Sequence, residues 1–595
     1  MEVESRQLLQ SIYQGAKNVI SKKDELNRIN VFPVADGDTG TNLASLMQAI
    51  IDIVPPRNYA VDELLNNISS AALIGARGNS GIIFAHYLSA VAENYDKVDS
   101  SSSKSLVTAL QNGVDKAYEA LLEPREGTIL SVMRAWAEAL AETFSQEASL
   151  GNSLLEAQKA AEKALEETQF QLEVLKKNRL VDSGAKGFYY FISGLTSSFC
   201  GEEGDLIELD LVDEGESVVD SHHFETSQPI YRYCCEFILK NLSLSSQELK
   251  DMLQGMGDSL IIAGTKTQVK VHIHSNKPQD VLALLEYEGK VVYQKVDDMQ
   301  VQYQVSKNGR LPIAVVTDSI ADLPDDFIVE HQVHVIPTNI LAADKNYLDK
   351  LTIDPSIIKE KLKEGIPLST SQPTIQMIDS LFSYLQGKYD HVVVITVSSQ
   401  LSGTYQLIKQ RIKAKNLSSD WIRVVDSRLN SVAQGLVVKR AVELVETHET
   451  FERILDKLEE TIDRTVIYVA VADLNPMIHS GRIPQFAGKI LQALSLYPIV
   501  SLDPSGNGKL IGASFGQRAS MKKIIKRLKK EIKAGKIEEL AITHVCAPEQ
   551  AKIWANQFET GENLVSYLVD SSASIAISAG LGSVAIAAIR KEGNL

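Results

Sequence analysis

Basic charge is what this sequence most lacks. Its 595 residues include 60 Lys and Arg against 76 Asp and Glu, a formal net charge of -16. That balance disfavours nonspecific nucleic-acid binding and attraction to anionic membranes. Cysteine is scarce as well: Cys200, Cys234, Cys235 and Cys546 are too few for a disulfide framework in a chain of this length, and reduced thiols are expected. No stretch reads as a membrane-spanning helix; the nearest, Ala573 to Ile589, is full of Ser, Gly and Ala and reads as a buried strand, a tight turn and a helix. The opening MEVESRQLLQ has charges where a signal peptide needs an apolar run, so a cytoplasmic location is expected. A Walker GxxxxGK[ST] loop is absent too, which excludes a P-loop enzyme. What is present, 44% hydrophobic and 23% charged residues, is an ordinary globular composition with length for three or four domains.

From Gln7 to about Phe199 apolar residues recur at helical spacing, as in Leu64 to Ile74, Leu106 to Leu121, Ile129 to Phe144 and Leu154 to Leu175, which predicts an all-α domain. Its turns are rich in glycine and polar groups. In NVFPVADGDTGTN (30 to 42), Asp36 and Asp38 flank Gly37, and Thr39, Thr41 and Asn42 lead into the apolar stripe of a helix. Two carboxylates beside free backbone N–H groups can supply both the Mg²⁺ ligands and the phosphate donors of a nucleotide site, or serve turn chemistry alone. GARGNSG (75 to 81), EGT (126 to 128) and DSGAKG (182 to 187) are turns of similar texture, and each taken singly reads as a helix cap.

Residues 201 to 228 hold ten Asp or Glu and no Lys or Arg, the composition of a solvated linker. Beyond it YRYCCEFIL (231 to 239) and VKVHIHSN (269 to 276) read as strands. Period two sets Lys270, His272 and His274 on one face, and Cys234 and Glu236 on one face of a neighbouring strand. Two histidines and a cysteine so placed make a Zn²⁺ site, or else two strand histidines and a buried thiol. From Ile313 onward, strands such as IAVVTDS, VHVIPTNI, HVVVITV, IRVVDS and VIYVAVA alternate with amphipathic segments, which predicts an α/β region.

Family resemblances add to this reading. The NVFPVADGDTGTN turn closely resembles the metal-binding turn of the DhaL family, the ATP-binding half of dihydroxyacetone kinases, in the form found in bacterial fatty acid kinases. The resemblance implies that Asp36 and Asp38 hold Mg²⁺ on the phosphates of ATP, with Thr39, Thr41 and Asn42 beside them; the role of Asn30 is left open. It implies also that GARGNSG approaches the phosphates through its backbone N–H groups, with Gly78, Asn79, Ser80 and Gly81 as contacts, and that Thr128 and Asp182 fall at matching turns. YRYCCEF and VKVHIHSN resemble the middle domain of the same kinases, which carries over a role in phosphoryl transfer to Cys234, His272 and His274, with Zn²⁺ as a candidate occupant.

VTDSIADLP (316 to 324), STSQPT (369 to 374), VSSQLSGTYQ (397 to 406), VVDSRLNS (424 to 431) and HSGRI (479 to 483) closely resemble the DegV family, whose members bind fatty acids between two α/β lobes. Residue by residue this implies Thr370, Ser402, Gly403 and Arg482 around the lipid carboxylate, where paired donors and an Arg fork suit a buried anion. Ser578 stands where the family usually places a His.

The expected architecture is therefore multidomain: a DhaL-like all-α helical barrel over 1–200, an acidic linker over 201–228, an α/β middle domain over 229–305, and a two-lobed α/β DegV fold over 313–593. The expected activity is ATP- and Mg²⁺-dependent phosphorylation of a fatty acid held by the chain's own DegV-like domain, giving an acyl phosphate. The alternatives are a lipid-binding or regulatory protein that does not turn over, and a hydroxyl kinase of the glycerone (dihydroxyacetone) type. A homodimer and a downstream acyltransferase are the further expected partners, with no nucleic acid and no integral membrane segment.

Overall fold

The structure, a computed structural model, describes residues 4–32, 37–95, 103–121, 124–145, 149–201, 228–265, 268–307, 311–473, 475–479, 496–558 and 564–593. The chain divides into two compact units, Met1–Lys307 and Asn308–Leu595.

In the first unit the helical periodicity becomes α1 (Ser5–Ser21), α2 (Lys23–Arg28), α3 (Thr39–Ile53), α4 (Val61–Gly75), α5 (Gly78–Tyr95), α6 (Ser103–Ala120), α7 (Ile129–Ser145), α8 (Leu150–Gln171), α9 (Glu173–Asn178) and α10 (Ser183–Phe199). Helix α10 is apolar on almost every side, so it is the one that others surround. Its Phe188 and Phe191 meet Phe84 of α5 edge to face at 5.3 and 5.1 Å, and Trp136 of α7 closes on Phe188 at 5.9 Å. The continuous helix expected from Leu154 to Leu175 is interrupted. Leu172 is extended (φ -113°, ψ 130°), at the place where the turn of Gly127 packs on Gln171 and Leu172.

The middle of the chain adds four antiparallel strands, β1 (Tyr233–Lys240), β2 (Asp258–Thr265), β3 (Gln268–Ser275) and β4 (Lys290–Asp298), in the order β2-β3-β1-β4. Helices Ser246–Leu253, Pro278–Glu288 and Met299–Lys307 accompany them. Ile261 and Ala263 of β2 join the hydrophobic core of the helical domain. They lie opposite His272 and Lys270, so the sheet face bearing the histidines is the face packed on the helices.

The second unit holds β5 (Ile313–Asp318), β6 (His334–Ile336), β7 (Asn339–Ala342), β8 (Lys345–Leu348), β9 (Leu368–Ser371), β10 (His391–Thr396), β11 (Ile422–Asp426), β12 (Thr465–Ala470), β13 (Tyr497–Leu502), β14 (Gly508–Ser514), β15 (Ile537–His544), β16 (Val565–Asp570) and β17 (Val584–Arg590). One sheet, β11-β10-β5-β6, is wholly parallel. Its β5 is buried along its whole length, as a Val- and Ile-rich strand covered on both faces must be. A mixed sheet, β14-β13-β12-β17-β15-β16, makes the other lobe, and β8-β7-β9 is a small third sheet. VHVIPTNI is not one strand: Pro337, which cannot donate to a ladder, separates β6 from β7.

The reading of Ala573 to Ile589 as strand, turn and helix is reversed. Residues Ala573–Ala579 are the helix and Val584–Arg590 the strand, with Gly580 and Gly582 at positive φ between them. Helix formation there is fixed from outside the segment. Asp322 accepts from the Ser572 amide, Asp349 accepts from the Ala573 amide, and Ser572 Oγ accepts from Ile575 N. Among the described residues, no helix is long and apolar enough to cross a membrane.

Candidate active site and ligand cavity

Four helix-flanking turns meet in the helical domain. Asp38 precedes α3 and accepts from Asn42 Nδ2 at 2.8 Å. Asn42 in turn abuts Gly78, at the start of α5: a β-carbon on Gly78 would lie 2.6 Å from its Nδ2, and the φ of +58° there also favours glycine. Ser80 lies against Gly184 at the start of α10, so closely that a β-carbon on Gly184 would collide with its Oγ. Asp182 caps α10 through Ala185 N at 2.7 Å and accepts also from the amide of Ile129, which follows Thr128. Burial pushes the Asp182 carboxyl up to about 6, against the pull of these two amides.

The N-termini of α3, α5 and α10 therefore converge, and a helix N-terminus is where backbone N–H groups favour an anion. Asn79 Oδ1 is buried there with no hydrogen-bond partner, an acceptor suited to a ligand proton or a cation. The donor set of Asp38, Asn79 and the helix N-termini fits a nucleotide phosphate with Mg²⁺. Other expected groups look elsewhere. Thr41 pairs with Asn27 through both its amide and its hydroxyl, and Thr128 Oγ1 donates to Arg125 O. Thr39 and Asn30 are buried. Asp36 lies outside the described residues.

The sheet builds the second cluster. In the antiparallel register Cys234 stands opposite His274, and Glu236 opposite His272. The ligand atoms of Cys234, His272 and His274 all lie within 4.8 Å of one another. Cys234 Sγ is 3.8 Å from His272 Nδ1; a tetrahedral zinc with its usual bond lengths holds sulfur and nitrogen about 3.5 Å apart. His274 Nδ1 is 3.0 Å from Asp258 Oδ1, the carboxylate contact that orients a metal-ligating imidazole. Burial lowers His272 to about 3, with His274 adding to the effect, so the ring is the neutral ligand form. Its Nε2 is buried without a hydrogen-bond partner. Burial, then Glu236 and Asp297, hold the Cys234 thiol well above its ordinary value, and in the absence of a cation it stays a thiol. Two nitrogens and one sulfur leave a fourth tetrahedral position open, so the residues fit a catalytic rather than a closed structural zinc site.

Period-two spacing marks these three residues. It also marks their same-face neighbours Lys270 and Glu236, whose part is visible only once the strands are paired and Lys295 of β4 stands opposite Glu236. Glu236 and Lys270 are 2% and 0% exposed and lie 3.1 Å apart. Burial alone would raise Glu236; Lys270, then Lys295 and Arg77, outweigh it and hold the carboxyl well below the usual range.

In the second unit a cavity opens beyond the C-terminal ends of β5 and β10, the place where parallel sheets bind ligands. Its polar part is lined by Asn339, Thr370, Gln372, Ser402, Gly403 and Ser574, among others. An adjoining apolar part, a cavity of about 70 Å³, is lined by residues such as Ile467, Val469, Met477 and Val500. Leu401, Asn430, Ile575 and Ser578 line both parts.

The structure thus brings Thr370, Ser402, Gly403 and Ser578 to one cavity. Ser402 Oγ accepts from Thr404 N at 3.3 Å, and Ser578 Oγ donates to Ser574 O at 2.8 Å. Among the described residues none lining the polar part is cationic; Arg482 lies outside the described residues. His544, which no motif in the sequence marks, lines the apolar part with its Nδ1 3.1 Å from Asp570 Oδ1.

Comparison with known proteins follows the same divisions. A family model described as "DAK2 domain" matches residues 33–197, one for the middle domain of FakA-like fatty acid kinases matches 230–306, and one described as "Uncharacterised protein, DegV family" matches 312–591. An uncharacterized protein of Staphylococcus saprophyticus is 30% identical over 313 residues, 51% of this chain and 56% of that one. Another from Staphylococcus aureus is 32% identical over 302 residues, 49% and 55% of the two chains. The chain spans about half the length of these curated relatives. Among solved structures, a fatty acid binding DegV family protein of Thermus thermophilus is 25% identical, with a TM-score of 0.44, covering 47% of this chain and all of that one. DegV of Bacillus subtilis, a fatty acid binding protein, is 26% identical with a TM-score of 0.43; the match covers 47% of this chain and all of that one. This polypeptide is a DAK2 domain, a FakA-like middle domain and a DegV domain in series.

Proposed function

We propose that the protein is an ATP- and Mg²⁺-dependent kinase whose substrate is the carboxylate of a fatty acid carried in the DegV domain, with acyl phosphate and ADP as products. The observation that carries the reading is the meeting of three helix N-termini, with Asp38 among them, in a unit that also holds the Cys234, His272 and His274 cluster. In the helical turns, the amides from Asn79 to Gly81 are the donors for the β- and γ-phosphates, and Asp38, with Asp36, is the ligand for Mg²⁺. Mg²⁺, when bound, neutralises phosphate charge. The cluster of Cys234 and the two histidines takes Zn²⁺, which supplies Lewis-acid polarisation of an oxygen.

A carboxylate is already a nucleophile at neutral pH, so the protein needs no strong general base for it. The residues align and neutralise instead. At the lipid end Thr370 and Ser402 face the carboxylate, Gly403 lets the backbone approach it, and the apolar cavity keeps the chain out of water.

Native mass spectrometry of the purified protein tests the whole reading. A bound fatty acid that leaves as acyl phosphate on addition of Mg²⁺ and ATP is the expected result. A fatty acid that stays put under the same conditions favours a carrier without turnover, and no bound lipid at all removes the substrate. Asp38→Ala is expected to cut turnover at least about a hundredfold while leaving the lipid bound, since the two functions sit in separate units. Wild-type turnover in that variant would remove Asp38 from the metal site.

A further inference from the structure

The buried pair Glu236 and Lys270 joins the two clusters of the first unit. Glu236 Oε1 accepts from the Gly78 amide at 3.0 Å and lies 4.0 Å from His272 Nδ1. Its Oε2 is 3.1 Å from Lys270 Nζ, and Lys270 donates to the Ala76 carbonyl. Both side chains therefore grip the backbone of the turn between α4 and α5, one residue on each side of Arg77. The Arg77 guanidinium donates to Ile74 O and Ala76 O at 2.9 and 2.8 Å and lies 5.3 Å over the Tyr293 ring of β4. On its other side Gly78 abuts Asn42, which holds Asp38. One glycine thus touches the side chain that arranges the candidate Mg²⁺ ligand and the side chain that flanks the candidate zinc ligand.

A buried ion pair is a poor way to gain stability, because apolar residues of the same volume usually do as well or better. This pair differs from a generic docking contact in where its valences go: each member ends on a backbone group of the phosphate-facing turn, and Glu236 also shares a sheet face with Cys234 and His272. We propose that Glu236 and Lys270 are positioning residues that lock the turn at residues 76 to 78 against the cysteine–histidine cluster. The nucleotide phosphates and the cluster then form one composite reaction centre built from two domains. The proposal rests on the kinase reading above for its catalytic meaning, and on the contacts alone for its structural part.

The test uses the full chain with Glu236→Leu and Lys270→Met together, a replacement that leaves no orphaned buried charge. Hydrogen exchange in the ligand-free protein is read over residues 75 to 81, and it is expected to speed up at least about tenfold there while the rest of the unit keeps its protection. Zinc content stays at the wild-type level, Mg²⁺·ATP affinity changes by less than about threefold, and turnover falls at least about a hundredfold, the scale of a misplacement of about 1 Å. Glu236→Gln is the conservative control. Its amide oxygen still accepts from Gly78, so exchange over the turn stays within about threefold of wild type.

Unchanged exchange over 75 to 81 in the double variant overturns the proposal. So does loss of zinc in Glu236→Gln, which would make Glu236 part of the cluster instead. If the double variant does not fold, Glu236→Gln with Lys270→Met carries the test, a pair that also leaves no buried charge, with faster exchange at Ala76 to Gly78 supporting the lock and unchanged exchange overturning it. A wild-type protein that binds no Mg²⁺·ATP would defeat the kinase reading, and the exchange result, obtained without nucleotide, would still decide the lock.

Discussion

Ser578 illustrates how a side chain can stand in the right place with its hydrogen already committed. It lines the polar and the apolar parts of the cavity, as a replacement for a head-group histidine should, but its Oγ donates to Ser574 O within its own helix. That hydrogen is not available to a carboxylate, which needs donors. The cationic partner expected from the sequence is Arg482. Removing one half of a buried charged pair typically costs about 3 to 5 kcal/mol; if Arg482 is the only cation near the lipid carboxylate, Arg482→Ala is expected to weaken fatty acid binding by two orders of magnitude or more. Ser578→His should tighten binding below the pKa of the new imidazole and lose that advantage as the pH rises above it. Isothermal titration with one fatty acid at pH 6 and pH 8 checks both. Equal affinity of wild type and Arg482→Ala would move the carboxylate away from this end of the cavity.

Single elements were legible where their own residues decided them. The alternation in VKVHIHSN predicts β3, and its register with β1 assembles the cluster. The reversal at Ala573 to Ile589 has a cause that lies 224 and 250 residues away, in the carboxylates of Asp349 and Asp322 that cap the helix. Ser, Ala and Ile runs suit either structure, and periodicity could not see the caps. The same distance hid the grip of Glu236 on Gly78, a separation of 158 residues.

Strand β6 carries a prediction of its own. His334 is buried with Nε2 3.0 Å from Tyr389 Oη, and burial, with Lys388 adding to it, lowers its pKa to about 4. The unfolded chain takes up a proton near its ordinary value while the folded chain does not. Stability is therefore fully present above about 6.5 and is lost as the pH falls toward 4. Asp318, pushed up to about 6 by burial, acts in the opposite sense, so the histidine's share is read as a difference between proteins. His334→Gln, which keeps a polar partner for Tyr389, should narrow the stability gap between pH 7 and pH 4.5 by about 2 to 3 kcal/mol. Urea midpoints of the second unit at the two pH values measure it, and parallel losses in both proteins would mean that His334 protonates as readily folded as unfolded.

At the scale of the whole molecule, what matters is that the parts proposed as kinase and as lipid carrier are two compact units on one polypeptide. Composition pointed to this division: the helical spacing of residues 7 to 199, the two-stranded alternation that follows, and the strand-and-helix texture from Ile313 are different patterns. Covalent joining converts the meeting of the two units from a bimolecular to a unimolecular event, with an effective concentration in the millimolar range for a short flexible connection. A mixture of two separately made halves, cut near residue 308, has no such advantage. Turnover per molecule of the intact chain is therefore expected to stay constant over a roughly thousandfold dilution below micromolar, where that of the mixed halves falls in proportion to concentration. Equal loss in both would show that each kinase unit serves the lipid unit of another chain. Transfer would then depend on assembly between copies, with the fusion merely fixing their ratio.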